Sequence, residues 1–163
     1  MRPRRILFYL PDIAGLAASL AVAFAVAGIG GWVTAGSVSS WYPTLTKPSF
    51  NPPAWIFGPV WTALYALMAI AAWRVWRKLR TVRHGALRLY GAQLALNLLW
   101  SFLFFGAHQI GWALIEIALL FAAIIATMIA FGRIDRAAGF CFAPYAAWVA
   151  FAAVLNAEIW RLN

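Results

Sequence analysis

Five long apolar runs, at about 13–33, 55–73, 89–107, 110–132 and 137–160, restrict what this chain can become. A helix needs about 20 consecutive apolar residues to cross the hydrocarbon of a bilayer. The first three runs carry no charge, the fourth holds only Glu116, and the fifth only Glu158 near its end. In lipid every backbone polar group must be satisfied internally, and all-round apolarity over such lengths selects helices. The predicted fold is therefore all-α: an integral membrane bundle of five transmembrane helices, forming a single domain over 1–163. Composition agrees, since 65% of residues are hydrophobic and only 10% charged, where a soluble domain is about one quarter charged.

The opening MRPRR resembles the basic start of a signal peptide. However, the uncharged stretch Ile13–Val33 has 21 residues, longer than the roughly 7–15 of a signal-peptide core. It is expected to remain as a span. The formal charge of +9 does not imply a nucleic-acid partner, because the basic residues sit between the apolar runs. Placing the N-terminus in the cytoplasm puts Arg2, Arg4, Arg5, Arg74, Arg77, Lys78, Arg80, Arg83, Arg88, Arg133 and Arg136 inside, and only Lys47 and Arg161 outside. That asymmetry predicts a cytoplasmic N-terminus and an external C-terminus. One cysteine, Cys141, excludes an intrachain disulfide and a CxxC motif, and is expected as a small packed residue. His84 and His108 fall in connections at opposite ends and cannot pair on a metal. Both are expected as solvated loop residues, with no metal site.

The connection WYPTLTKPSFNPPAWIFGPVW, residues 41–61, holds five prolines, one lysine and no acid. Flexible linkers use Gly and Ser instead, so this segment predicts a stiff external lid. Asn51 before Pro52 and Pro53 reads as the cap of helix 2. Pro59 and Pro144 are expected to kink helices 2 and 5, either for packing or to open a cavity.

Gln93, Asn97 and Ser101 recur every four residues and form one stripe on helix 3. With the predicted topology Asn97 lies near mid-membrane. Ser101, Glu116, Asn156, Glu158, Trp61, Thr62 and Tyr65 lie in the outer half. Two readings are open: polar bonding between helices, or a ligand site beneath the lid. Trp32, Trp55, Trp73, Trp76, Trp112 and Trp160 fall at span ends, where indoles anchor at headgroups. Trp61, Trp100 and Trp148 are set deeper and Trp41 lies in the loop, an arrangement able to grip a flat aromatic ligand. Gly91 and Ala95 form a small-xxx-small pair away from Asn97, a pattern that favours a homodimer.

The segments WYPTLTKPSFNPPAWIFGPVWTALY (41–65), QLALNLLWSFLFFG (93–106), GWALIE (111–116) and PYAAWVAFAAVLNAEIWRLN (144–163) resemble the TspO/MBR family. That family is also called tryptophan-rich sensory protein, translocator protein or peripheral-type benzodiazepine receptor. The likeness covers nearly all of the chain after the first helix. It implies a five-helix bundle, often a homodimer, whose helix 1–2 loop closes an outward-facing cavity. It also implies binding of porphyrins, notably protoporphyrin IX, with no required cofactor. Sterol and benzodiazepine-site drugs are bound by animal members. Carried over by motif, the ligand-binding residues are Trp41, Tyr42, Trp61, Tyr65, Asn97, Trp100, Trp148 and Ala152. Two departures stand out. Ser101-Phe102 replaces a common proline, so helix 3 is expected to be straighter there. Ala157 and Glu158 replace the tyrosines of the animal cholesterol segment.

The function implied is a membrane tetrapyrrole sensor or transporter-like protein of porphyrin metabolism, with Lys47 or Arg161 available for propionates. An alternative is light- and oxygen-dependent porphyrin breakdown, with Trp61 and Trp148 as electron partners. No nucleophile–base pair supports conventional catalysis. A third reading makes the arginine-rich 74–88 loop a docking segment for a cytoplasmic partner. A bacterial protein is expected, in the inner membrane rather than the outer.

Overall fold

The computed structural model describes residues 10–163, and these contain helices and turns but no strand. The basic start, with Arg2, Arg4 and Arg5, lies outside the described residues. In chain order the elements are α1 (Leu10–Ser40), a 3-10 turn (Tyr42–Thr44), a second 3-10 turn (Ala54–Ile56) and α2 (Phe57–Leu79). There follow α3 (Gly85–Ser101), a π-helical turn (Phe102–Gly106), α4 (Ile110–Ile134), α5 (Arg136–Phe140) and α6 (Ala143–Leu162). Five stretches are long and apolar enough to cross a membrane: Asp12–Ser40, Ala54–Leu79, Gly85–Gly106, Ile110–Ile134 and Arg136–Leu162. The five expected spans are present, each longer at one or both ends than its apolar run.

Several local expectations change. Residues 51–53 are not helical, and the Pro53 backbone is extended, with ψ 140°. Asn51 does not cap helix 2: its Oδ1 instead accepts a hydrogen bond from the Tyr42 hydroxyl at 2.7 Å. Pro59 and Pro144 both fall in the first turn of their helices, α2 and α6. At Pro59 the missing N–H has no intrahelical acceptor to lose, so it bends no running helix, whereas Pro144 stands where the fifth span is interrupted, as expected of it. The fifth span is broken just before Pro144, by the turn at Cys141–Phe142. Helix 3, expected to run straighter without its proline, widens into the π turn, where the Ala107 N–H reaches back to the Phe102 carbonyl at 2.7 Å. The turn buries Phe104 and ends at His108, whose φ of 56° is left-handed. Gly106 passes close to α1, where an added Cβ would lie 3.3 Å from Val33.

One end of the bundle carries the 41–56 loop, the other the basic connections. At the basic end α1 is fastened to α2. Asp12 pairs with Arg80 at 2.8 Å and Arg77 at 3.8 Å, and the Trp73 indole donates to the Asp12 carbonyl. Gly15 lies so near Trp76 that a Cβ would come within 2.4 Å of the ring, and Ser19 donates to the Ala69 carbonyl. Asp135 is buried between α4 and α5. It caps α5 through the Ala137 and Ala138 amides and receives Arg74 at 3.0 Å and Lys78 at 3.2 Å. Burial alone would push its carboxyl up, but these cations and amides outweigh it and hold the group below the usual carboxylate range. Gly139 lets α5 lie against α4, with an added Cβ falling 2.8 Å from the Gly132 Cα. His84 is exposed, as expected, and in addition caps α3 by accepting from the Ala86 amide.

Candidate functional site

At the loop end the helices do not close on one another. α1 leaves α2 and leans on the π turn instead, where the Ser37 hydroxyl donates to the Phe105 carbonyl at 2.5 Å. Gly30 rests on Ser101 and Leu98 in the same region. The separation leaves a cavity of about 450 Å³ among α1, α2, α3, α4 and α6, covered by Tyr42 and Ala54 of the loop. Small-molecule pockets run from about 300 to 1,000 Å³, mostly apolar with a few polar groups.

Its walls are aromatic, and the rings hold one another in place. On α2, Trp61 lies 5.7 Å from Tyr65 and 6.1 Å from Tyr145 of α6, centroid to centroid. Trp148 meets Phe57 at 5.9 Å and Phe151 at 5.6 Å. Trp100 stacks on Phe104 at 5.1 Å. Its indole N–H donates to Asn156 Oδ1, and the Asn156 amide donates to the Ile110 carbonyl, which ties α3, α6 and the start of α4 together. On the floor the Tyr65 hydroxyl donates to Asn97 Oδ1. Polar groups in the wall are thus mostly spoken for, as burial in lipid requires.

Of the eight residues singled out by motif, Tyr42, Trp61, Tyr65, Asn97, Trp100, Trp148 and Ala152 line this one space. Trp41 does not. Its ring stacks on His108 at 4.1 Å and meets Phe104 edge-on, so it pins the loop to the π turn from behind. His108 is exposed in its turn, as expected, and is also held by that stack and by Ser37 at 3.2 Å. Thr62, Ser101 and Asn156 reach the cavity. Glu116 is buried but does not line it.

Lys47 and Arg161 are not free rim cations. The Lys47 ammonium donates to the carbonyls of Tyr42 and Leu45, each at 2.8 Å, and lies over the Tyr42 ring. It is an internal staple of the loop. Arg161 is engaged by Glu158 at 2.7 Å. The Tyr42 phenol, against Asn51, has its pKa raised by burial.

The inner wall formed by α1, including Phe24, Ala27, Gly30, Gly31, Thr34, Ala35 and Val38, was not foreseen. Those side chains are small or plainly apolar, and the one hint was the glycine-rich outer half of α1. Several of them, with Gly58 and Thr62 opposite, are exposed at the bundle surface, so the cavity reaches its perimeter between α1 and α2. Gly91 and Ala95 also face outwards on α3, and nothing within 4 Å would meet a Cβ on Gly91. Among the described residues no three of His, Cys, Asp and Glu cluster as metal ligands would.

The described residues form a bundle of membrane-length helices around an aromatic-walled cavity of small-molecule size beneath a proline-rich loop. The chain belongs to the TspO/MBR family, whose sequence pattern it matches over residues 18–161. It is 44% identical to the human translocator protein over 126 residues, covering 76% of this chain and 75% of that protein. It is 41% identical to tryptophan-rich protein TspO of Chlorobaculum tepidum over 156 residues, 93% of this chain and 98% of the relative. The tryptophan-rich sensory protein of Cereibacter sphaeroides is 41% identical over 141 residues, 85% of this chain and 88% of that one. The protein is accordingly a multi-pass membrane protein.

Proposed function

We propose that the protein is a membrane sensor or carrier for a flat tetrapyrrole of the protoporphyrin IX kind, acting in porphyrin metabolism or its control. The observation that carries this reading is the convergence of Tyr42, Trp61, Tyr65, Trp100 and Trp148, from four separate segments, on one cavity with Asn97 at its floor. Burying a few hundred Å² of a planar macrocycle contributes several kcal/mol at about 25 cal/mol per Å². The fixed rings and the stapled loop reduce what must be ordered on binding. The names of the relatives, sensory protein and translocator, fit such a role. With Lys47 and Arg161 engaged within the protein, the propionates would be met by neutral donors or by water at the loop end.

Titrating the purified protein with protoporphyrin IX should quench tryptophan emission saturably. Trp61→Phe with Trp148→Phe should weaken the affinity by about tenfold or more, the scale of two aromatic contacts. Non-saturable quenching, the same in the double variant, would remove the basis for this reading.

A second reading is favoured by the position of Trp61 and Trp148 in the wall itself. Light- and oxygen-dependent porphyrin breakdown with these indoles as electron partners would then occur in the bound complex. Porphyrin loss under illumination at the same rate with free tryptophan would dismiss it. We further place the loop end outside and the basic end in the cytoplasm, by the excess of Lys and Arg in the basic connections. A homodimer through the small face at Gly91 and Ala95, an inner-membrane location and a sterol or drug site belong to the same proposal.

A further inference from the structure

A second concave surface lies on the outside of the bundle, between α2 and α6. Val60, Ala63 and Leu67 on one side and Pro144, Ala147 and Phe151 on the other enclose a groove of about 410 Å³ whose lining residues are all apolar. Ring contacts of Phe57 with Trp148 and of Trp61 with Tyr145 set the two helices antiparallel, so Leu67 and Pro144 mark the same end of the groove. That end faces the basic connections. Arg74 and Lys78 follow Leu67 by seven and eleven residues, which keeps them on the stripe of α2 that lines the groove, about 10 and 16 Å further along the axis. Their heads meet the junction of α4 and α5, from which the chain turns into α6: Arg74 Nη2 donates to both Asp135 oxygens and Lys78 to the Ile134 carbonyl. The Asp135 side chain is 6% exposed and those of Arg74 and Lys78 are 40% and 52% exposed, so the carboxylate lies behind its two cations. One acid balances one of them, and a positive charge is left over. Arg74 also keeps binding capacity, since its Nε has no partner.

We propose that this groove is a binding site for an anionic phospholipid, with one acyl chain lying between α2 and α6 and the phosphate on Arg74 and Lys78. An apolar groove alone would accept a chain of any lipid, and the surplus cation at one end makes the selection. Cations at the membrane surface attract anionic headgroups, and a guanidinium matches phosphate oxygens in shape as well as charge. The opposite end offers no such partner, because Lys47 and Arg161 are engaged within the protein. The lengths agree. One leaflet of hydrocarbon is about 15 Å deep, half of the roughly 30 Å core. A chain that starts at Arg74 therefore extends about ten residues along α2, to Leu64, which lines the groove. The inference is independent of which ligand the cavity takes.

Native mass spectrometry of the full chain in detergent tests it, with dioleoylphosphatidylglycerol as the probe. One such lipid should be retained about tenfold more tightly than dioleoylphosphatidylcholine, which carries no net charge. Dihexanoylphosphatidylglycerol, too short to reach the groove, should be lost. Ala147→Phe fills the groove away from the ion pairs and should weaken retention by about tenfold or more. Lys78→Gln should weaken it about fivefold, the scale of one cation near the membrane surface. Arg83→Gln combined with Arg88→Gln, at the same end of the molecule but beyond α2, should leave it unchanged. Equal retention of the two dioleoyl lipids would overturn the proposal. So would equal weakening by the Arg83 and Arg88 changes, since general attraction to the basic surface would then suffice. Full retention in Ala147→Phe, or of the dihexanoyl lipid, would place the binding outside the groove and overturn it too.

Discussion

Asn97 and Lys47 show how single side chains set the cavity. Asn97 holds the Tyr65 hydroxyl at the floor, and a membrane hydrogen bond of this type contributes about 0.6–2 kcal/mol. Tyr65→Phe should therefore lower stability by that order, read as an earlier midpoint in denaturant unfolding of the detergent-solubilised protein. Lys47 gathers carbonyls that point inward along the 3-10 turn, and an apolar replacement leaves them without a donor. Lys47→Met is expected to raise amide hydrogen exchange across 42–47 while leaving α2 and α4 protected. Uniform exchange in the two proteins would show that the staple does not hold the loop. Asn163 makes a comparable clamp from the other side, its amide bonding both the N–H and the carbonyl of Thr46 at 2.9 and 3.0 Å.

Among the elements, the short helix α5 depends most on a few atoms. Gly139 faces backbone of α4 on every side, with the Gly132 Cα and Met128 carbonyl both within 3.0 Å of an added Cβ. Backbone cannot swing away as a side chain can, so Gly139→Ala should destabilise by about 1–3 kcal/mol, the range of overpacking. A stability within experimental error of the parent would mean that α5 shifts freely. Asp135 caps the same helix and receives Arg74 and Lys78. Because its folded-state pKa is depressed, its contribution is present above the unfolded value near ~3.9 and is lost as pH falls through the lower folded value. Thermal stability should thus fall below about pH 4, and Asp135→Asn should flatten that part of the profile. Asn caps a helix as well as Asp does, so what Asp135→Asn removes is the charge that meets Arg74 and Lys78.

For the molecule as a whole, the cavity exists because α1 is bound to α2 at one end and to the π turn at the other. The basic-end contacts are ionic and close-packed, through Asp12, Gly15 and Ser19. The loop-end contacts run from Ser37 and Gly30 to Phe105 and Ser101. Gly15→Val should press on Trp76, disturb this crossing and change the cavity from a distance. The check is a titration with protoporphyrin IX, in which weaker saturable quenching is expected although Gly15 does not line the cavity.

Hydropathy determined the five spans, because lipid admits long apolar segments only as helices, whatever they later touch. The aromatic and polar members of the cavity were legible for the same reason: Trp61, Asn97 and Trp148 are conspicuous in otherwise featureless helices. Local rules failed where they met prolines and turns. Pro59 has the look of a kink but occupies a helix start, and the π turn at Phe102–Gly106 has no proline or glycine run to announce it. Tertiary structure alone decided that Trp41 turns to His108 instead of the cavity, that Lys47 is consumed by its own loop, and that small residues of α1 complete the wall. A side chain's composition tells what it can bond, but which partner it meets depends on how whole helices cross, and that is fixed by contacts far along the chain.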